Sequence, residues 1–173
     1  MRGVTHDIAR ALDLSGLRGS IPSDIAPDLV PGRGDSIRPC SEWADVCRFV
    51  EAREGHPSVC KILLHPYSAE EYLERRARLF LTHDARGGFG LVDNELISLF
   101  SYPGMKYGSM LVSEAKRLGA SYLTCFDVGG VLVRFYEQHG FQEVSRAAWD
   151  PDRAASNWCY KTFGSPDVVE MSL

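Results

Sequence analysis

The stretch from Ser121 to Ala148 sets the tightest limit on the fold. It reads as an extended run (Ser121 to Val128), a glycine pair (Gly129-Gly130), a helical stretch (Val131 to His139) stopped by Gly140, and a second extended run (Phe141 to Ala148). A strand, a crossover helix and a strand bury their apolar faces only as a sheet with a helix laid on it. Upstream, Arg78 to His83, Phe89 to Val92 and Glu95 to Tyr102 read as three antiparallel strands. The turn-rich Asp84-Ala85-Arg86-Gly87-Gly88 and the tight Asp93-Asn94 turn separate them. A hairpin series joined to a strand–helix–strand unit implies an α/β fold with a mixed sheet.

Helices fill the gaps. Ser41 is placed to cap a helix whose apolar face is Trp43, Val46, Phe49 and Val50, ending at Gly55. A second helix is expected over Ala69 to Ala77, with Glu70, Glu71 and Glu74 ahead of Arg75, Arg76 and Arg78, the charge order a helix dipole favours. After the break Pro103-Gly104-Met105-Lys106, Tyr107 to Leu118 is amphipathic. Met110, Leu111, Ala115 and Leu118 face inward, and Gly119 closes it as a C′ residue. Asp150 to Asn157 reads as a polar loop, and Trp158 to Phe163 and Val168 to Met171 as strands.

Residues 1–40 read differently. A short helix fits Ile8 to Leu14, but Gly16 to Pro39 is rich in Gly, Pro, Ser and Asp. This suggests an irregular N-terminal arm, residues 1–40, ahead of a domain of residues 41–173. With 173 residues, 45% of them hydrophobic and 24% charged, the chain can bury a real core. A net charge of −4 argues against a general nucleic-acid binder. No apolar run approaches the ~18–20 residues that span a bilayer, and Met1 to Leu17 carries too many polar residues for a secretory signal. The five cysteines include no CxxC pair and read as reduced thiols, so the cytoplasm is the default compartment and no metal site is expected.

Two stretches resemble a known family. Arg134-Phe135-Tyr136-Glu137-Gln138-His139-Gly140-Phe141, set between the strands at Ser121 and Phe141, looks like the "FYEKxGF" helix of the GNAT N-acyltransferases. Tyr102-Pro103-Gly104-Met105-Lys106-Tyr107-Gly108-Ser109-Met110-Leu111 lies where that family carries its Q/R-x-x-G-x-G/A pyrophosphate loop. Gly108 falls at the last glycine, Lys106 replaces the middle one, and Pro103 replaces the leading Gln or Arg. Gly129-Gly130 stands where many members have an Asn that anchors the pantetheine arm. The element order resembles the family over almost all of Ser41 to Leu173.

The resemblance implies a twisted, mostly antiparallel sheet of six to seven strands, splayed between the fourth and fifth and flanked by about four helices. It implies acetyl-CoA as co-substrate, lying in the splay. Main chain near Phe100, Ser101 and Tyr102 would face the thioester, and Lys106, Tyr107, Gly108, Ser109 and Met110 would hold the coenzyme at a helix N-terminus. Tyr136 matches the tyrosine beside the thioester sulfur. A phenol with its usual pKa near ~10 is protonated at neutral pH and able to act as general acid; otherwise Tyr136 only packs its helix on the sheet. Glu95 and Asp127 are candidate bases, with Asp150 and Asp152 comparable. His139 reads as a helix C-terminal cap, and Trp149 and Trp158 either wall the acceptor pocket or pack in the core. Two main functional readings stand: transfer of an acetyl group to an amine, and a GNAT-like protein that has lost catalysis and works as a binding or inhibitory module. A third has residues 1–40 serving assembly. Homodimers are frequent in the family, and the acceptor is left open.

Overall fold

A computed structural model of the chain describes residues 37–153 and 158–173. Seven strands form one sheet: β1 (Ile37–Pro39), β2 (Arg78–Thr82), β3 (Gly87–Val92), β4 (Glu95–Ser101), β5 (Tyr122–Phe126), β6 (Gln142–Ala147) and β7 (Val168–Ser172). Their order is β1-β2-β3-β4-β5-β7-β6, and every neighbouring pair is antiparallel except β4 and β5. Among the described residues five α-helices accompany the sheet: α1 (Trp43–Glu54), α2 (Ala69–Glu74), α3 (Gly108–Arg117), α4 (Val131–Glu137) and α5 (Tyr160–Phe163). This is the GNAT acyltransferase fold.

The sheet separates two cores. On one side Val46, Phe49 and Ala52 of α1 and Tyr72 of α2 pack on Leu79, Leu81 and Phe100. On the other, Leu111, Val112 and Ala115 of α3 and Leu132, Phe135 and Tyr136 of α4 pack on Phe89, Leu91, Leu96 and Leu123. Strand alternation sends successive side chains to opposite cores.

Several boundaries differ from the sequence reading, each for a local reason. Ordered structure starts before Ser41: Ile37 to Pro39 pair with Phe80 to Thr82, and Arg38 bonds Asp45 of α1 at 2.6 Å. The remainder of the expected arm, with its short helix at Ile8 to Leu14, lies outside the described residues. Ser41 is not the cap of α1; Glu42 takes that position, without a side-chain cap bond. The capping box falls instead on α2, where Ser68 Oγ accepts from Glu71 N–H and Glu71 accepts from Ser68 N–H. That helix ends at Glu74 rather than Ala77 because Arg76 turns left-handed, φ +55°, and Ala77 N–H bonds Tyr72 O in a Schellman closure.

Gly87 and Gly88 belong to β3, not to the preceding turn. A Cβ at Gly88 would stand 2.6 Å from Phe80 O and 3.0 Å from the Phe49 ring, so the missing side chain lets α1 lie on the sheet. Trp158 to Phe163 is no strand. Residues Tyr160–Phe163 coil into one helical turn that buries Phe163, and the Trp158 indole N–H closes the loop on Gly164 O. Gly119 and Gly140 end α3 and α4 with positive φ, as their sequence places suggest. Among the described residues no helix is long and apolar enough to cross a membrane.

Candidate active site

The site starts with a parting of strands. β4 and β5 are paired only at Glu95↔Tyr122 and Leu96↔Leu123. Beyond Leu96 the edge of β4 facing β5 has no ladder partner, so its main-chain groups border open space. A bulge in β4 widens the gap. Ile97 pairs with Gly90 and Phe100 with Gly88, leaving Ser98 and Leu99 opposite the single residue Phe89. Ser98 carries the distortion at φ +51°. The extra residue inverts the alternation: Leu96 joins the α3/α4 core, yet Phe100, four positions on, joins the α1/α2 core.

A cavity of about 690 Å³ occupies the splay. Glu95 to Ser101 line it on one strand and Thr124 to Phe126 on the other, with Tyr136 and Leu132 of α4 and Gly108 at the start of α3. His65, Pro66 and Tyr67, ahead of α2, and Trp149 and Trp158, from the connection between β6 and β7, complete the wall.

Tyr136 is buried, and among the described residues its hydroxyl has no hydrogen-bond partner. Burial, with a smaller push from Cys125, raises its pKa far above the ordinary phenol value. It is therefore a firmly protonated O–H facing a cavity. Glu95 is half-buried, and its carboxyl pKa lies above the usual range, chiefly from desolvation; Arg75 opposes the shift and Glu170 adds to it. Burial pushes the Cys125 thiol up to about 12, so it stays a thiol and a poor nucleophile.

The other expected site residues divide. The Asp127 carboxylate is committed: Oδ1 accepts from Gly130 N–H at 2.8 Å and Oδ2 from Arg146 at 2.6 Å. It shapes the turn into α4 and does not line the cavity. Of the alternative carboxylates, Asp150 lines the cavity and accepts from Asp152 N–H at 3.0 Å. Ser101 is buried, its Oγ accepting from Tyr107 N–H at 3.3 Å and its carbonyl from His56 Nε2 at 3.0 Å. Because Ser58 N–H donates to His56 Nδ1, the ring proton sits on Nε2. Phe100 packs edge-on against Phe49 and also borders the cavity. The Tyr102 hydroxyl donates to Ala52 O and the Tyr107 hydroxyl to Asp84, both holding the loop rather than the cleft. Ser109 is exposed and Met110 rests half-buried on the core.

The loop before α3 has defined conformation. Met105 N–H bonds Tyr102 O across Pro103 and Gly104, and Gly104 has φ +85°, the arrangement of a type II turn. Lys106 then adopts φ +55° with its side chain exposed. A left-handed backbone is the physical reason a glycine is expected there. His139 Nδ1 lies 2.8 Å from Phe135 O, a cap at the end of α4. Trp158 packs on the core and also borders the cavity, while the Trp149 indole N–H is buried without a partner among the described residues.

Sequence reading missed His65, Tyr67 and Glu170 as cavity groups. A serine in the middle of a strand gives no hint of the bulge that Ser98 forms.

No family model matches the sequence, and no curated protein does. Solved structures do match in shape. YncA of Salmonella typhimurium, solved with its cofactor acetyl-CoA, superposes with a TM-score of 0.51 at 14% identity, over 80% of this chain and 92% of that one. An N-acetyltransferase from Staphylococcus aureus Mu50 gives 0.51 at 12% identity, over 79% and 96%. At these identities the likeness is one of fold.

Proposed function

We propose that the chain is an N-acetyltransferase that moves an acetyl group from acetyl-CoA to an amine. The observation that carries this reading is the splay itself: one cavity between β4 and β5 brings together a protonated Tyr136 and a partly desolvated Glu95. The acetyl-CoA bound to YncA supports the choice of co-substrate. The coenzyme pyrophosphate rests on the loop from Gly104 to Ser109, where Gly108 opens α3 and presents the positive end of its dipole.

The amine nitrogen attacks the thioester carbonyl carbon. A C–N bond forms, the C–S bond breaks, and Tyr136 gives its proton to the departing sulfur. Glu95 takes a proton from the amine, which needs a base stronger than an ordinary exposed carboxylate, as its desolvation provides. Exchange with solvent then restores both groups. Cys125, held as a thiol, favours this direct route over an acyl-cysteine intermediate. The acceptor enters between the His65–Tyr67 segment and the wall formed by Trp149 and Trp158. A cytosolic setting, where thiols stay reduced and acetyl-CoA is present, fits the free cysteines.

Calorimetric titration with acetyl-CoA tests this reading. Micromolar binding, abolished by Gly108→Trp, is expected; absence of heat from the unaltered protein at high ligand would remove the enzyme reading.

A further inference from the structure

We propose that the Ser98 hydroxyl is a hydrogen-bond donor to the acyl carbonyl oxygen, aimed by a buried relay from Arg53 through Tyr72. This rests on the acetyl-CoA reading above and adds a group to it.

The relay has one direction. A guanidinium only donates, and Arg53 Nη1 stands 2.7 Å from the Tyr72 oxygen, so that oxygen accepts. Tyr72 is fully buried, and the acceptor for its own proton is Ser98 Oγ, also at 2.7 Å. Ser98 Oγ thus receives a bond from the protein and keeps its proton to give. Among the described residues no acceptor for that proton is present, and Ser98 lines the cavity. Arg53 is 97% buried, with its other terminal nitrogen on Glu54 and its cation 5.5 Å from the Tyr72 ring centre. A fixed positive charge at the head of two short bonds polarises the last O–H in the chain.

Position makes the donor useful. Ser98 is the inserted residue of the bulge, two places after the last rung between β4 and β5, where the cleft opens. Tyr136 lines the same cavity from α4, on the opposite face of the sheet. A thioester between them would present its sulfur to Tyr136 and its carbonyl oxygen to Ser98. As the amine attacks, negative charge grows on that oxygen, and a donor already in place stabilises it. Ser98 transfers no proton. Arg53 and Tyr72 are positioning residues, since they act only through it.

The probe is acetyl-CoA labelled with ¹³C at the carbonyl, read by infrared difference spectroscopy, with unacetylated CoA as the reference ligand. In the unaltered protein the bound carbonyl stretch should lie at lower frequency than in water-free solvent. Ser98→Gly, which suits φ +51°, and Ser98→Ala should both return it toward the undonated value; Tyr72→Phe should move it part of the way. Affinity for acetyl-CoA should fall about threefold to tenfold in the Ser98 variants, the weight of one hydrogen bond, with CoA affinity unchanged. A carbonyl band that stays put in both Ser98 variants, with CoA still bound, would overturn the relay alone. An unaltered protein that binds neither CoA nor acetyl-CoA would overturn the co-substrate reading, and the relay's role with it.

Discussion

On the α1/α2 side of the sheet the cleft is bordered by hydrogen-bonded polar groups. Arg53, Tyr72 and Ser98 form one chain, and His56 fixes the Ser101 carbonyl. On the α3/α4 side it is bordered by Leu132, Phe135 and Tyr136, and Tyr136 touches Phe135 and Phe141 rings but no polar partner among the described residues. The contrast follows from what each side must do. A polar wall fixes directions of donors, because every buried polar group must find its partner. An apolar wall fixes a protonation state, because it withholds the solvation that a phenolate would need.

Removing the proposed proton donor on the apolar wall should have the largest effect. Tyr136→Phe keeps the ring contacts and loses the O–H, so acetyl transfer to an amine found by panel screening should drop about 10²–10⁴-fold. Coenzyme affinity should hold. Thiol release measured beside calorimetry separates the two, and unchanged turnover would reduce Tyr136 to a packing residue.

Glu95→Gln should cost about a hundredfold or more in kcat/KM at neutral pH. Its signature is the pH profile. Glu95 must be ionised to take the proton, so activity should fall as pH drops through its raised pKa, and the variant should lack that limb. Stability runs the other way. A carboxyl whose folded pKa is raised binds its proton more tightly when folded, so stability is lost as pH climbs from the unfolded value of 4.5 through the folded one. The variant should therefore gain on the unaltered protein above that window and lose the advantage below it, as urea midpoints across pH would show.

On the polar wall, Tyr72→Phe should act first on the fold. It strips Arg53 of its hydroxyl partner in a buried site, a loss of about 1–3 kcal/mol by urea unfolding. A smaller change than about 0.5 kcal/mol would mean that water readily replaces the hydroxyl and that the wall is less closed than it looks.

These two walls were not equally legible. Phe135, Tyr136 and Gly140 sit in a local strand–helix–strand pattern, so short-range spacing and one helix stop place the apolar wall. The polar wall joins residues distant in sequence: Tyr72 is 26 positions from Ser98 and 19 from Arg53. No periodicity links them, and nothing in the local spacing marks Arg53 as buried. The bulge is equally silent, since it depends on how Ser98 and Leu99 meet one residue, Phe89, across the ladder. Asp127 shows the opposite error. Its place at the end of β5 suggested chemistry, whereas Gly130 and Arg146 occupy its oxygens. Gly87-Gly88 looked like turn chemistry and proved to be close packing under Phe49.

The smallest expected effect is at Lys106, at the mouth between the two walls. A non-glycine residue at φ +55° is strained by about 1–2 kcal/mol, while glycine there costs about 0.5–1 kcal/mol more chain entropy on folding. Lys106→Gly should thus stabilise the protein by about 0.5–1 kcal/mol. The same change removes an exposed positive charge beside the helix start proposed to receive the pyrophosphate. Coenzyme A affinity should fall by less than about threefold at low salt, and the difference should vanish near 1 M salt, where the Debye length is about 3 Å. If affinity instead rises at every salt concentration, the lysine obstructs the loop, and the backbone rather than its charge governs coenzyme binding there.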